Sequence, residues 1–179
     1  FLHCPMIMPI FFEMVFSEKN LYNVLSPFLE QSLWSLAMRF INPKIDVAFK
    51  RIFGSIHSKD ILLSFLNAIL YDEQPVLTDL EILDPYLAPK VRGMKDTYLD
   101  VKALTAEQQT VIIEMQVLNT EGFEKRILYN AAKTYSTQLQ QGEAYHLLNP
   151  VIALTITDFV LFPQFDKLLS RFVLTEKEM

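Results

Sequence analysis

Residues 97–118 read TYLDVKALTAEQQTVIIEMQVL, two runs of β-branched and aliphatic residues separated by a short polar stretch. Runs of that composition favour strands, and the interruption favours a hairpin. The spacing predicts strands over 97–104 and 110–118 with residues 105–109 as the turn. Pairing Leu104 with Thr110 then makes facing positions sum to 104 + 110 = 214, which sets Asp100 opposite Glu114. Facing side chains in an antiparallel pair stand about 5 Å apart at Cβ. Two carboxylates at that separation repel unless a cation or a proton lies between them. Alternation puts Glu114 and Gln116 on one face and Ile113, Met115 and Val117 on the other. Asp100, Glu114 and Gln116 thus form an oxygen-rich patch in otherwise apolar strands. Hard oxygen donors without histidine or cysteine suit Mg²⁺ or Mn²⁺ rather than zinc. The same residues also read as a solvated face in which Lys102 neutralises Asp100, and a one-residue slip in register removes the pairing altogether.

Outward from the hairpin, the pattern is that of an α/β domain. Asn42 and Pro43 read as N-cap and first residue of a helix over 43–53, stopped at Gly54. Ser58 caps a second helix with Ile61, Leu62, Phe65, Leu66 and Ile69 as its apolar stripe. Residues 78–83 suggest a strand, and 85–95, with Pro85, Pro89 and Gly93, a loop. A long helix is expected over 123–141, closed by Gly142. Residues 151–157 (VIALTIT) are apolar throughout, as in a strand covered on both faces, and a last strand is expected over 168–175.

The first 37 residues differ from the rest. Of these, 22 are hydrophobic and only Glu13, Glu18, Lys19 and Glu30 are charged. They lack the basic start of a signal peptide, and His3, Glu13, Glu18 and Lys19 interrupt any membrane span. Residues 28–37 suit a short amphipathic helix. The expectation is an upstream or non-native extension over 1–37, with Met38 as the natural start, followed by one domain over 38–179 that is truncated at its C-terminus. Cys4 is the single cysteine, so there is no disulfide framework, and a reducing cytoplasm is expected. Four well-separated glycines among 179 residues exclude Gly-rich nucleotide motifs, and so a nucleotide cofactor. A net charge of −5 argues against nucleic-acid binding by bulk charge, though not against a local basic groove.

IDVAFKRIFG (45–54), YLDVKAL (98–104), IIEMQV (112–117) and EKRILYNAAKTYSTQLQQGEAYHLLNPVIAL (124–154) together resemble the PD-(D/E)XK nuclease family transposases, also called the recombination-promoting nuclease or Rpn-like family. The resemblance runs in order from about Met38 to Phe162. It implies an α/β, restriction-endonuclease-like core with a central mixed β-sheet flanked by α-helices. It also implies Mg²⁺-dependent hydrolysis of DNA phosphodiesters in transposition, recombination or other mobile-element processing. By this resemblance Asp100 and Glu114 are the motif's acids and Gln116 stands where the wider superfamily has lysine. The Met115 backbone carbonyl is a further metal ligand, and Asp46 an extra acid brought towards the metal. A neutral Gln116 orients water but supplies no positive charge, which leaves that to the metal or to Lys95, Lys102 or Lys133.

Around this patch, Arg39, Lys44, Lys50 and Arg51 against Asp46 give residues 38–54 a net charge of 4 − 1 = +3. Lys125, Arg126, Tyr129, Lys133 and Tyr135 lie on the long helix. Read functionally, Lys50, Arg51, Lys95, Lys102, Arg126, Tyr129, Lys133 and Tyr135 contact DNA; read structurally, they are a solvated helix face with Tyr135 in the core. A homo-oligomer fits either reading, and no membrane partner is expected. The alternative to an enzyme is a catalytically inactive DNA-binding or assembly remnant of one.

Overall fold

A computed structural model describes residues 10–16, 41–89, 93 and 95–173, the first of these segments by its backbone alone. The amphipathic helix expected over 28–37 and the proposed start at Met38 lie outside the described residues. A six-stranded mixed sheet runs in the order β2-β5-β6-β7-β1-β8. Its strands are β1 (Ile10–Phe16), β2 (Leu80–Leu83), β5 (Val101–Thr105), β6 (Thr110–Gln116), β7 (Val151–Thr157) and β8 (Leu169–Val173). Two two-residue strands, β3 (Tyr86–Leu87) and β4 (Thr97–Tyr98), pair in a separate ribbon. The helices are α1 (Asp46–Phe53), α2 (Lys59–Leu70) and α3 (Phe123–Ser136). This is the α/β arrangement with a mixed central sheet between helices that the resemblance implies. Among the described residues no helix is long and apolar enough to cross a membrane.

The antiparallel hairpin β5–β6 keeps the register read from sequence: Val101 faces Ile113 and Leu104 faces Thr110. Its turn is closed by Thr105, whose N–H donates to the Gln109 carbonyl at 2.9 Å and whose hydroxyl accepts from the Gln109 N–H at 3.2 Å. β7 runs parallel to both β6 and β1 and is buried at every position, as its lack of any charged residue allows. On one face of the sheet Val101, Ala103, Val111, Ile113, Ile152 and Leu154 pack against Phe49 and Phe53 of α1 and Leu62, Phe65 and Leu66 of α2. On the other, Ile112 and Ala153 pack against Phe123, Ile127 and Ala131 of α3. The sheet also includes Ile10–Phe16, which pairs with β7 and β8.

Several details differ from the sequence expectation, and four of them have a visible cause. α1 begins at Asp46, not Pro43, because the Asn42 side chain accepts the Lys44 N–H at 3.0 Å and closes a turn ahead of the helix. Ser58 stands at the start of α2, but its hydroxyl donates to the Ser55 carbonyl instead of capping the helix. The strand expected over 97–104 breaks at Leu99 and Asp100. Leu99 packs towards α3 while Val101 packs towards α1 and α2, so the chain turns over between them. α3 ends at Ser136 rather than residue 141. The Thr134, Ser136 and Thr137 hydroxyls donate back to helix carbonyls, and the Gln138 amide bonds both backbone groups of Asn149, drawing the chain towards β7. Side-chain hydroxyls of this kind compete with helix continuation. Gly142, at φ 91°, serves a later turn.

Candidate active site

The break before β5 creates the site. β5 begins at Val101, so the Met115 N–H on β6 has no facing backbone group from β5. It donates instead to Asp100 Oδ2 at 2.7 Å. In a strand, N–H and C=O of one residue project to the same side, so the Met115 carbonyl points towards Asp100 as well. Gly54 lets this region close: a Cβ there would lie 2.8 Å from the Lys50 carbonyl, 3.5 Å from Val101 Cγ2 and 3.6 Å from the Asp100 carbonyl.

Both acids are largely buried, with side chains 15% and 13% exposed for Asp100 and Glu114. Burial pushes the Asp100 carboxyl above its usual range, against the lowering effect of the Met115 N–H and of Lys50. Burial likewise raises Glu114, opposed by Asn130 and Arg126 and reinforced by the Asp100 charge. Two carboxylates pushed in this direction form a site short of positive charge.

Basic side chains answer that shortage in part. Lys50, one turn from Asp46 on α1, brings Nζ to 2.7 Å from Asp46 Oδ1 and 3.3 Å from Asp100 Oδ1. Burial pulls its pKa down, but the two carboxylates outweigh it and the net shift is upward. Lys50 therefore takes the place at Asp100 that the solvated-face reading assigned to Lys102. Lys102 is half-buried on β5, and burial depresses its pKa with Asp84 opposing. On α3, Arg126 donates to Gln116 Oε1 and stands 3.9 Å from Glu114 Oε2. The Gln116 amide in turn donates to the Leu118 carbonyl at 2.5 Å. Nearby, Lys44 pairs with Asp158, whose N–H bonds the Gln116 carbonyl at 3.0 Å.

Asp46, Lys50 and Asp100 are thus linked in one set of contacts, and Glu114, Gln116 and Arg126 in a second. The two lie beside each other where Asp100 accepts the N–H of Met115, the residue after Glu114. The remaining candidates are not. Arg51 and Lys95 are exposed and lie outside these contacts. Tyr129 is part-exposed beneath the Lys133 ammonium, 6.0 Å from its ring centre. Tyr135 packs onto the α3 side of the core. Lys133 is only 4% exposed, and its ammonium donates to the Leu87 and Lys95 carbonyls at 2.8 and 2.7 Å and to Thr97 Oγ1 at 3.2 Å. All three of its donors are engaged in tying β3 and β4 to α3, so in this conformation it offers no proton to a phosphate.

Asn130 escaped the sequence reading. It is 4% exposed and donates to Glu114 Oε1. The available signal was its position: an amide between Ile127 and Ala131 on the buried face of α3 must find a polar partner across the helix–sheet interface.

The donor chemistry fits a hard divalent cation. Asp100, Glu114 and the Met115 carbonyl offer oxygen alone, and burial raises both carboxylates. Among the described residues no group of three or more Asp, Glu, His or Cys side chains gathers. The protein would therefore supply two carboxylates and a carbonyl, leaving the other positions to water and substrate oxygens.

No curated protein and no solved structure matches the chain. The model of the PD-(D/E)XK nuclease family transposases matches residues 43–179, which include both acids, Gln116 and the helix that carries Arg126 and Asn130. On that match, across most of its length, the chain belongs to the PD-(D/E)XK nuclease family transposases.

Proposed function

We propose that the chain is a divalent-metal-dependent DNA endonuclease that hydrolyses phosphodiesters during transposition or recombination. PD-(D/E)XK nucleases generally use divalent metal ions, and the family implies a DNA substrate. The observation that carries the reading is the pair of buried, raised acids, Asp100 and Glu114, at the point where β5 leaves the ladder. In this reading Asp100, Glu114 and the Met115 carbonyl hold Mg²⁺ or Mn²⁺, with Asp46 as an outlying acid. The bound ion would supply a water of lowered pKa and offset charge on the phosphoryl oxygens. Gln116, released from Arg126, orients the attacking water through its amide oxygen. Asn130 keeps Glu114 turned towards the site. Lys50, Arg51, Lys95, Lys102, Arg126 and Tyr129 are the candidates for contacting the DNA backbone.

A plasmid-nicking assay with and without Mg²⁺ tests the reading. Wild type should nick only with the metal, and Asp100→Asn should not nick. Metal-dependent nicking that persists in Asp100→Asn removes the site assignment. A second reading, DNA binding without cleavage, draws on Gln116: its amide is engaged at both ends, by Arg126 and by Leu118. DNA retained in a gel-shift assay with no nicking in any divalent metal would favour it.

A further inference from the structure

We propose that Lys50 and Arg126 form a cation lock over the two acids, which metal and DNA phosphate open together, so that each ligand strengthens binding of the other. The inference rests on the metal-site reading above and deepens it.

Each acid of the pair has its own basic side chain. Lys50 Nζ is 3.3 Å from Asp100 Oδ1 and is shared with Asp46 at 2.7 Å. Arg126 Nε is 3.9 Å from Glu114 Oε2, and another of its guanidinium nitrogens is bonded to Gln116. An Mg²⁺ ion bound to Asp100 would sit about 2.0–2.1 Å from a carboxylate oxygen, within a few ångströms of the ammonium. Like charges so close in a part-buried site oppose each other, so ion and ammonium compete for Asp100. Lys50 and Arg126 are 41% and 42% exposed, and both are long enough to swing into solvent without disturbing the core.

Asn130 differs in kind. It is neutral and buried, and it holds the other oxygen of Glu114, so it can stay in place when the cations leave. Ammonium and guanidinium groups are also the usual ligands of phosphate. Phosphate that draws Lys50 and Arg126 outward bares the acids, and metal on the acids frees the same side chains for phosphate. Linkage makes the two effects equal in size.

Calorimetric titration with Mn²⁺ alone, without DNA, tests the lock in wild type, Lys50→Met and the milder Lys50→Gln. Both variants should bind Mn²⁺ about fivefold tighter or more. A short phosphorothioate duplex that resists cleavage should tighten Mn²⁺ binding to wild type by a similar factor, and less so in the variants. Equal or weaker Mn²⁺ binding by both variants, with wild-type circular dichroism melts, overturns the lock while leaving the metal site standing. If no folded form binds Mn²⁺, the metal site and the lock both fall.

Discussion

Glu114 depends on one neutral donor. Asn130 reaches it from the buried face of α3, and Asn130→Ala leaves a buried carboxylate oxygen without that partner. The expected loss is about 1–3 kcal/mol at neutral pH, smaller in acid where Glu114 is protonated, and urea unfolding at two pH values measures it. The raised carboxyls also set a pH dependence for the metal-free protein. Their folded pKa values lie above the unfolded ones, so between the two the folded state binds more protons. Stability must then fall as pH rises from the ordinary carboxylate range through the raised values, and level off above them. Glu114→Gln, which keeps an acceptor for Asn130, should flatten that fall; a profile as steep as wild type would mean that Glu114 is not the group responsible. At this scale the sequence was informative where geometry repeats. The 214 register follows from a five-residue turn and holds from Val101 to Leu104; Asp100 lies just beyond it and meets the Met115 N–H through its side chain. Asn130 and the Lys50–Asp100 pair come from separate helices, and no strand periodicity reports where a helix will lie against the sheet.

The β3–β4 ribbon shows what an element borrows from its neighbours. Two two-residue strands cannot stand alone in water. Cross-strand stacking of Tyr86 on Tyr98, 4.8 Å between ring centres, joins the two strands, and the three Lys133 bonds hold the ribbon to α3. Lys133→Met leaves two carbonyls and a hydroxyl without their cation and should lower stability by about 2–3 kcal/mol, read by thermal unfolding. Metal affinity should change little, since Lys133 touches neither acid; a large loss of Mn²⁺ binding would instead tie the ribbon to the site. Strand composition revealed β6 and β7 nearly residue by residue. It could not reveal the interruption at Leu99 and Asp100, because that depends on two apolar residues, Leu99 and Val101, choosing opposite faces of the sheet. The far end of α2 shows the same kind of dependence: Arg171 of β8 donates to the Ile69 and Leu70 carbonyls at 3.3 and 2.9 Å. These are the carbonyls that a helix C-terminus leaves unpaired, and their partner lies about a hundred residues downstream.

For the molecule as a whole, the α/β class and the covered central strand were legible because β7 is apolar at all but its threonine positions and is flanked by amphipathic helices. The place of residues 10–16 was not, since an apolar stretch of that length reads equally as strand, helix or leader. In the sheet, β1 separates β7 from β8, pairing parallel with the first and antiparallel with the second. A protein produced from Met38 onward would lack β1. One backbone row of β7, a strand buried at every position, would then become an open edge, a template for strands of other molecules. Such a protein should self-associate, measured by light scattering on a sizing column. A monomer with an unchanged melting temperature would mean that β8 can move over and pair with β7 directly. Seven residues that carry none of the proposed chemistry would then decide whether that edge of β7 is covered.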